Sequence, residues 1–114
     1  MKIEQQVTSL QISQRLKELG VPQESFFSWS TLDNELIYGG VKSEILISAF
    51  TVAELGEMLP SNISCYKTGG DNWVCNPLEG AIPDTLSEQI WGITEADARA
   101  KCLIYLLENN LITL

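Results

Sequence analysis

Apolar positions recur at helical spacing near the start of the chain, at Ile12, Leu16 and Leu19. Thr8 stands in the N-cap position before this face, and Gln11 completes a capping box with it. Gly20 follows the last apolar position, where a glycine with positive φ commonly ends a helix. The pattern therefore predicts a first helix that starts after Thr8 and stops at Gly20.

Two further helices are indicated by the same kind of start signal. Thr51 and Glu54 form a second capping box, and a proline ends the short helix that follows. Thr94 is the predicted N-cap of the last helix, in which Glu95 and Arg99 form a favourable pair one turn apart. The predicted buried stripe of this helix consists of Ala96, Ala100, Leu103, Leu107 and Leu111.

Aromatic and β-branched residues mark the predicted strands. Segments 25–30 and 35–38 flank a turn at 31–34, in which asparagine and aspartate tolerate positive φ. Residues 45–47 fit either a third strand or the approach to the second helix. Residues 76–93 are punctuated by proline and glycine and predict an irregular connection, within which residues 85–91 fit one or two helical turns.

A β-hairpin is predicted between residues 63 and 75. With a three-residue loop of two glycines and an aspartate, Cys65 lies opposite Cys75 and Lys67 lies opposite Trp73. The second pair would permit a cation–π contact. A register shift of one residue would remove both pairings.

The order of these elements predicts a single α+β domain over residues 1–114, a short antiparallel β-sheet sandwiched by about three α-helices. Three segments, Ala49–Pro60, Asn72–Val74 and Thr94–Asn109, resemble a family of small phage and prophage proteins of unassigned activity. Their layout is similar to the phage ABA-sandwich domain, and the resemblance covers roughly residues 49–112. It implies this fold and a phage or prophage origin, and it implies no activity and no catalytic residues.

Composition narrows the classes of partner and compartment. The net charge is −8, and nucleic-acid binding needs a cationic face that this chain does not offer, so we expect no direct binding to DNA or RNA. No apolar run reaches the roughly 18 residues of a membrane span, and no apolar segment follows Lys2 as in a secretory signal. The expected compartment is the cytoplasm of a bacterial host.

Three cysteines without C-x-x-C spacing argue against a disulfide framework and against a zinc site. Because cytosolic thiols stay reduced, the sequence favours free thiols at Cys65 and Cys75 over a bridge between them. Cys102 lies in an apolar helical run and is predicted to be buried.

No catalytic constellation is present in the sequence. The chain contains no histidine, the commonest general base, and no nucleophile motif, phosphate-binding loop or metal-ligand cluster replaces it. We therefore expect no enzymatic activity, no cofactor and no bound metal.

The leading hypothesis is a phage or prophage accessory protein that binds another protein, one with a basic surface. Aromatic residues on loops are common anchors of protein interfaces, and acidic residues would face the basic partner. The candidate contact residues are Trp91, Ile90, Glu88, Glu54, Glu57, Asp33 and Glu35. Clustering of the carboxylates on one face would favour mimicry of DNA, and scattering would exclude it.

Two alternatives remain open at this point. One is a self-associating structural or assembly factor without catalytic activity, which joins copies through a sheet edge or an apolar helix face. The other is a small ligand-binding or hydrolytic domain, which needs a deep pocket with convergent polar groups.

Overall fold

The described part of the chain contains a short 3-10 helix (Ile3–Gln5), three α-helices and six short strands. The computed structural model describes residues 2–38, 45–60, 63–68, 70, 72–77 and 90–113. The helices are α1 (Leu10–Glu18), α2 (Val52–Met58) and α3 (Glu95–Glu108). The strands are β1 (Phe27–Ser30), β2 (Leu36–Tyr38), β3 (Leu46–Ala49), β4 (Ile63–Lys67), β5 (Trp73–Pro77) and β6 (Trp91–Gly92).

The strands form two antiparallel sheets of three strands each, in the orders β2-β1-β3 and β4-β5-β6. The α+β class with antiparallel strands and three helices is confirmed. The sequence did not decide whether residues 45–47 form a third strand or lead into the second helix. In the structure this segment contributes to β3. The strands divide between two sheets, because β1 pairs with β2 and β3 while β5 pairs with β4 and β6.

Helix α1 begins one residue later than predicted, with Ser9 rather than Thr8 as the N-cap. The hydroxyl of Thr8 does not cap the helix, because it accepts the backbone N–H of Phe50 at 3.1 Å and contacts the Ser13 hydroxyl at 2.7 Å. The indole N–H of Trp29 donates to the Thr8 carbonyl at 2.8 Å. Thr8 therefore ties α1, β1 and the end of β3 together in a fully buried position.

The end of α1 follows the prediction. Gly20 has φ +86°, and its N–H donates to the Lys17 carbonyl at 3.0 Å. The N–H of Val21 donates to the Leu16 carbonyl at 3.1 Å. These two bonds form a Schellman motif, which satisfies carbonyls that the end of a helix leaves without partners.

The predicted capping box of α2 is confirmed. The Thr51 hydroxyl accepts the N–H of Glu54 at 3.2 Å, and the Glu54 carboxylate accepts the N–H of Thr51 at 2.9 Å. Leu55 is fully buried beneath the helix. A helix of seven residues is marginal by itself, so this cap and the packing of Leu55 are what hold it in place.

The register predicted for the second hairpin is also confirmed, since Cys65 pairs with Cys75 and Lys67 pairs with Trp73. The preference for free thiols at Cys65 and Cys75 is wrong, because the two residues form a disulfide. Directly opposite positions in an antiparallel pair bring the two β-carbons close enough for this bond. The predicted register already placed the two cysteines opposite each other, and the preference for free thiols gave this proximity less weight than the reducing conditions of a cytosol.

Strand β6 lies in the segment that the sequence predicted to be irregular. It pairs with β5 through Trp73 opposite Gly92 and Val74 opposite Trp91. A β-carbon added to Gly92 would stand 2.7 Å from the backbone nitrogen of Ala98, so only glycine lets this strand approach α3 so closely. The helical turn considered for 85–91 lies largely outside the described residues.

Helix α3 forms the centre of the core, and its buried face is wider than the predicted stripe. Ala96, Ala100 and Leu103 are buried as predicted, whereas Leu111 lies beyond the end of the helix and is exposed. The helix contacts β4, β5 and β6 as well as α1 and α2. These contacts on several sides also bury Ala98, Cys102, Ile104 and Leu106.

Replacing Gly92 by alanine is expected to lower the free energy of unfolding by about 1–3 kcal/mol, because the new methyl group overlaps the backbone of α3. Gly56→Ala is the matched control, since nothing lies within 4 Å of its added β-carbon and alanine favours the helix by up to about 1 kcal/mol. Urea denaturation followed by far-UV circular dichroism measures both. Equal stability of the two variants would contradict the close approach of β6 to α3.

Thiol titration tests the disulfide. In the native protein without reductant we expect essentially no fast-reacting thiol, because Cys65 and Cys75 are bonded and burial raises the pKa of the Cys102 thiol to about 11. After denaturation without reductant, a single thiol per chain should react. Three reactive thiols in that denatured sample would mean that the Cys65–Cys75 bond is absent.

Candidate functional site

The four described carboxylates among the candidate contact residues form two separate pairs. Asp33 and Glu35 lie in the turn that follows β1, where the Asp33 carboxylate accepts the N–H of Glu35 at 3.2 Å. Glu54 lies at the other end of β1, where its carboxylate accepts the N–H of Phe26 at 3.2 Å. Glu57 is one turn further along α2. The described carboxylates are therefore scattered, and this arrangement does not favour mimicry of DNA.

Glu54 has a structural role that the sequence showed only in part. One carboxylate oxygen accepts the backbone N–H and the hydroxyl of Thr51, at 2.9 and 3.0 Å. The other oxygen accepts the N–H of Phe26. Its carboxylate is thus largely occupied within the protein, which leaves Glu57 as the exposed carboxylate on this face of α2.

A groove of about 420 Å³ runs along the same face of α2. We call it the α2 groove, and its lining residues are Pro22, Glu24, Phe50, Glu54, Glu57 and Met58. Phe50 is buried and Met58 half-buried. The described lining thus combines three carboxylates with an apolar floor and contains no lysine or arginine.

The aromatic anchor predicted around Trp91 is only partly exposed. Trp91 is 39% accessible, and the Lys101 ammonium lies 5.2 Å from the centre of its ring, in a cation–π contact. Ile90 is fully buried in the core, so it is not available to a partner. Glu88 lies outside the described residues. Trp91 lines neither the α2 groove nor the cavity described next.

A larger cavity of about 620 Å³ opens at the start of both α2 and α3. We call it the N-terminal cavity. Its walls are Gln5 and Gln6, the N-cap and first two residues of α2 at 51–53, Lys67 and Trp73 from the second hairpin, and residues 93–95. Its volume lies within the range of roughly 300–1,000 Å³ that is usual for small-molecule sites.

The second hairpin places Lys67 and Trp73 side by side in the wall of this cavity. They are directly opposite each other, two residues from the Cys65–Cys75 pair on the same face of the strands. In the described structure Lys67 forms no ion pair, and the cation–π contact that its pairing with Trp73 would permit is not formed. Glu95, the carboxylate of the cavity wall, is paired with Arg99 at 2.8 Å.

Two kinds of feature are absent from the described residues. No group of three or more metal-ligating side chains comes together among them. None of their helices has the length and apolar character needed to cross a membrane.

Comparison with known proteins finds no relative of the chain. No family model, no curated protein and no solved structure matches the chain.

Proposed function

We propose that the chain is a phage or prophage accessory protein that binds a lysine- or arginine-bearing segment of a partner protein in the α2 groove. The observation that carries the proposal is the combination of three glutamates with an apolar floor in one concave surface. The phage origin rests on the resemblance of three segments to the phage and prophage family.

Charge complementarity indicates which kind of segment binds in the groove. Glu24, Glu54 and Glu57 surround it, and its described lining contains no cation. A basic side chain placed among these carboxylates would gain the modest Coulomb energy of ion pairs at the protein surface, because Glu24 and Glu57 are exposed. An acidic or neutral segment would gain nothing comparable.

Apolar contacts add to the binding energy that the charges supply. The floor at Phe50 and Met58 accommodates the aliphatic part of a lysine or arginine side chain. Phe26, whose N–H donates to Glu54, is 62% exposed beside this carboxylate. An exposed aromatic ring next to a groove is suited to contact an apolar neighbour of the basic residue.

The test is capture of partners from a bacterial lysate with three forms of the tagged protein. Glu24→Gln with Glu57→Gln removes two charges from the groove, and Asp33→Asn with Glu35→Gln removes two charges from the turn at the other end of β1. We expect the groove variant to lose about tenfold in affinity for the captured partner, since exposed ion pairs contribute roughly 0.2–1 kcal/mol each. The turn variant should bind like the unchanged protein.

The same capture experiment is repeated at high salt. At about 0.5 M salt the Debye length falls to roughly 4 Å, so capture by the groove should weaken strongly. A partner retained equally by all three forms would show that the groove does not bind it. Equal weakening in the groove and turn variants would show that net charge, and not this site, drives binding.

A second candidate function, self-association, is favoured by one observation. Strand β2 pairs with β1 on one side only within the described structure, and its Tyr38 is 77% exposed. An exposed edge strand offers unpaired backbone groups to a second copy. Capture of untagged copies of the chain, lost when Ile37 is replaced by proline, would favour this function over binding of a basic partner.

A further inference from the structure

The N-terminal cavity contains one charge that the protein does not neutralise. The only carboxylate among its described lining residues, Glu95, is already paired with Arg99, and both side chains of this pair are mostly buried. Lys67 has no ion-pair partner in the described part of the chain. An unpaired lysine in a cavity wall attracts an anion locally, and this attraction acts against the general repulsion from a protein with a net charge of −8.

A flat apolar wall lies next to this charge. Trp73 is directly opposite Lys67 in the hairpin and is half-buried. Val52 lines the cavity from the first turn of α2, and Ile93 lines it with 73% of its surface exposed. Covering Ile93 and stacking on the indole ring of Trp73 would remove apolar surface from water, which favours an aromatic ligand.

The hairpin holds these two residues in a fixed relation. The Cys65–Cys75 disulfide lies two positions from the Lys67–Trp73 pair and prevents the strands from shifting register. The wall therefore exists before any ligand binds. Preorganisation of this kind reduces the entropy that a ligand must lose on binding.

We propose that the N-terminal cavity binds a small aromatic carboxylate. The ring of the ligand stacks on Trp73 and contacts Val52 and Ile93, and its carboxylate lies against the Lys67 ammonium. This site is distinct from the α2 groove and does not depend on the protein partner proposed for it.

The test uses 2-naphthoate as the probe and 2-naphthamide as its neutral counterpart of nearly the same shape. Isothermal titration calorimetry on the full chain should give saturable binding of one naphthoate per chain. The amide should bind about tenfold more weakly, a difference of about 1.4 kcal/mol, because it lacks the charge that pairs with Lys67.

Two lysine variants locate the binding site. Lys67→Met retains most of the aliphatic stem and removes the charge, and we expect it to weaken naphthoate binding about tenfold while leaving amide binding unchanged. Lys17→Met removes the same charge from α1, away from the cavity, and should bind naphthoate like the unchanged protein.

Three outcomes with the two probes and the two lysine variants would overturn the proposal. They are absence of saturable naphthoate binding, equal affinities for naphthoate and the amide, and equal weakening by Lys67→Met and Lys17→Met. The far-UV circular dichroism of each variant is compared with that of the unchanged chain, so that loss of binding is separated from loss of fold. Trp73→Leu is the third variant, and unchanged naphthoate affinity in it would also contradict the proposal, because it would exclude stacking on this residue.

Discussion

The carboxylate of Glu54 holds together the part of the molecule on which both proposed sites depend. One of its oxygens accepts the N–H and the hydroxyl of Thr51, and the other accepts the N–H of Phe26 just before β1. These bonds fix the start of a seven-residue helix that is too short to be stable alone, and they fasten it to the first sheet. Because a capping interaction contributes roughly 1 kcal/mol, the packing of buried Leu55 must supply much of the remaining stability.

Helix α2 separates two concave surfaces of different chemistry. Its first turn lines the N-terminal cavity, whose unpaired charge is Lys67, whereas the face with Glu54 and Glu57 lines the acidic groove. Helix α3 supports this arrangement by packing against α2 and the second sheet. Its close contact with Gly92 brings β6, and with it residues 93–95, to the rim of the cavity. A cavity with Lys67 of β4 in its wall and an acidic groove, each lined in part by α2, suit two ligands of opposite charge.

Local signals in the sequence predicted the elements that local interactions determine. The capping box at Thr51, the positive φ of Gly20 and the hairpin register each depend on residues close together in the chain. Apart from the Cys65–Cys75 bond within one hairpin, the failures depend on distant partners. Thr8 does not cap α1 as predicted, because its hydroxyl accepts the N–H of Phe50, which is 42 residues away in the chain. The candidate sites were predicted least well, because the proximity of Glu24 to Glu57 and of Lys67 to α3 comes from tertiary packing.

The most direct test of the account is one NMR experiment on the amide resonances of the full chain, titrated separately with 2-naphthoate and with a short arginine–leucine peptide. We expect two separate sets of shifted amide resonances. Naphthoate should shift those of Lys67, Trp73 and Ile93, and the peptide those of Glu24, Glu57 and Met58. A single shared set, or shifts spread evenly over the chain, would contradict the claim that α2 divides two sites of opposite charge preference.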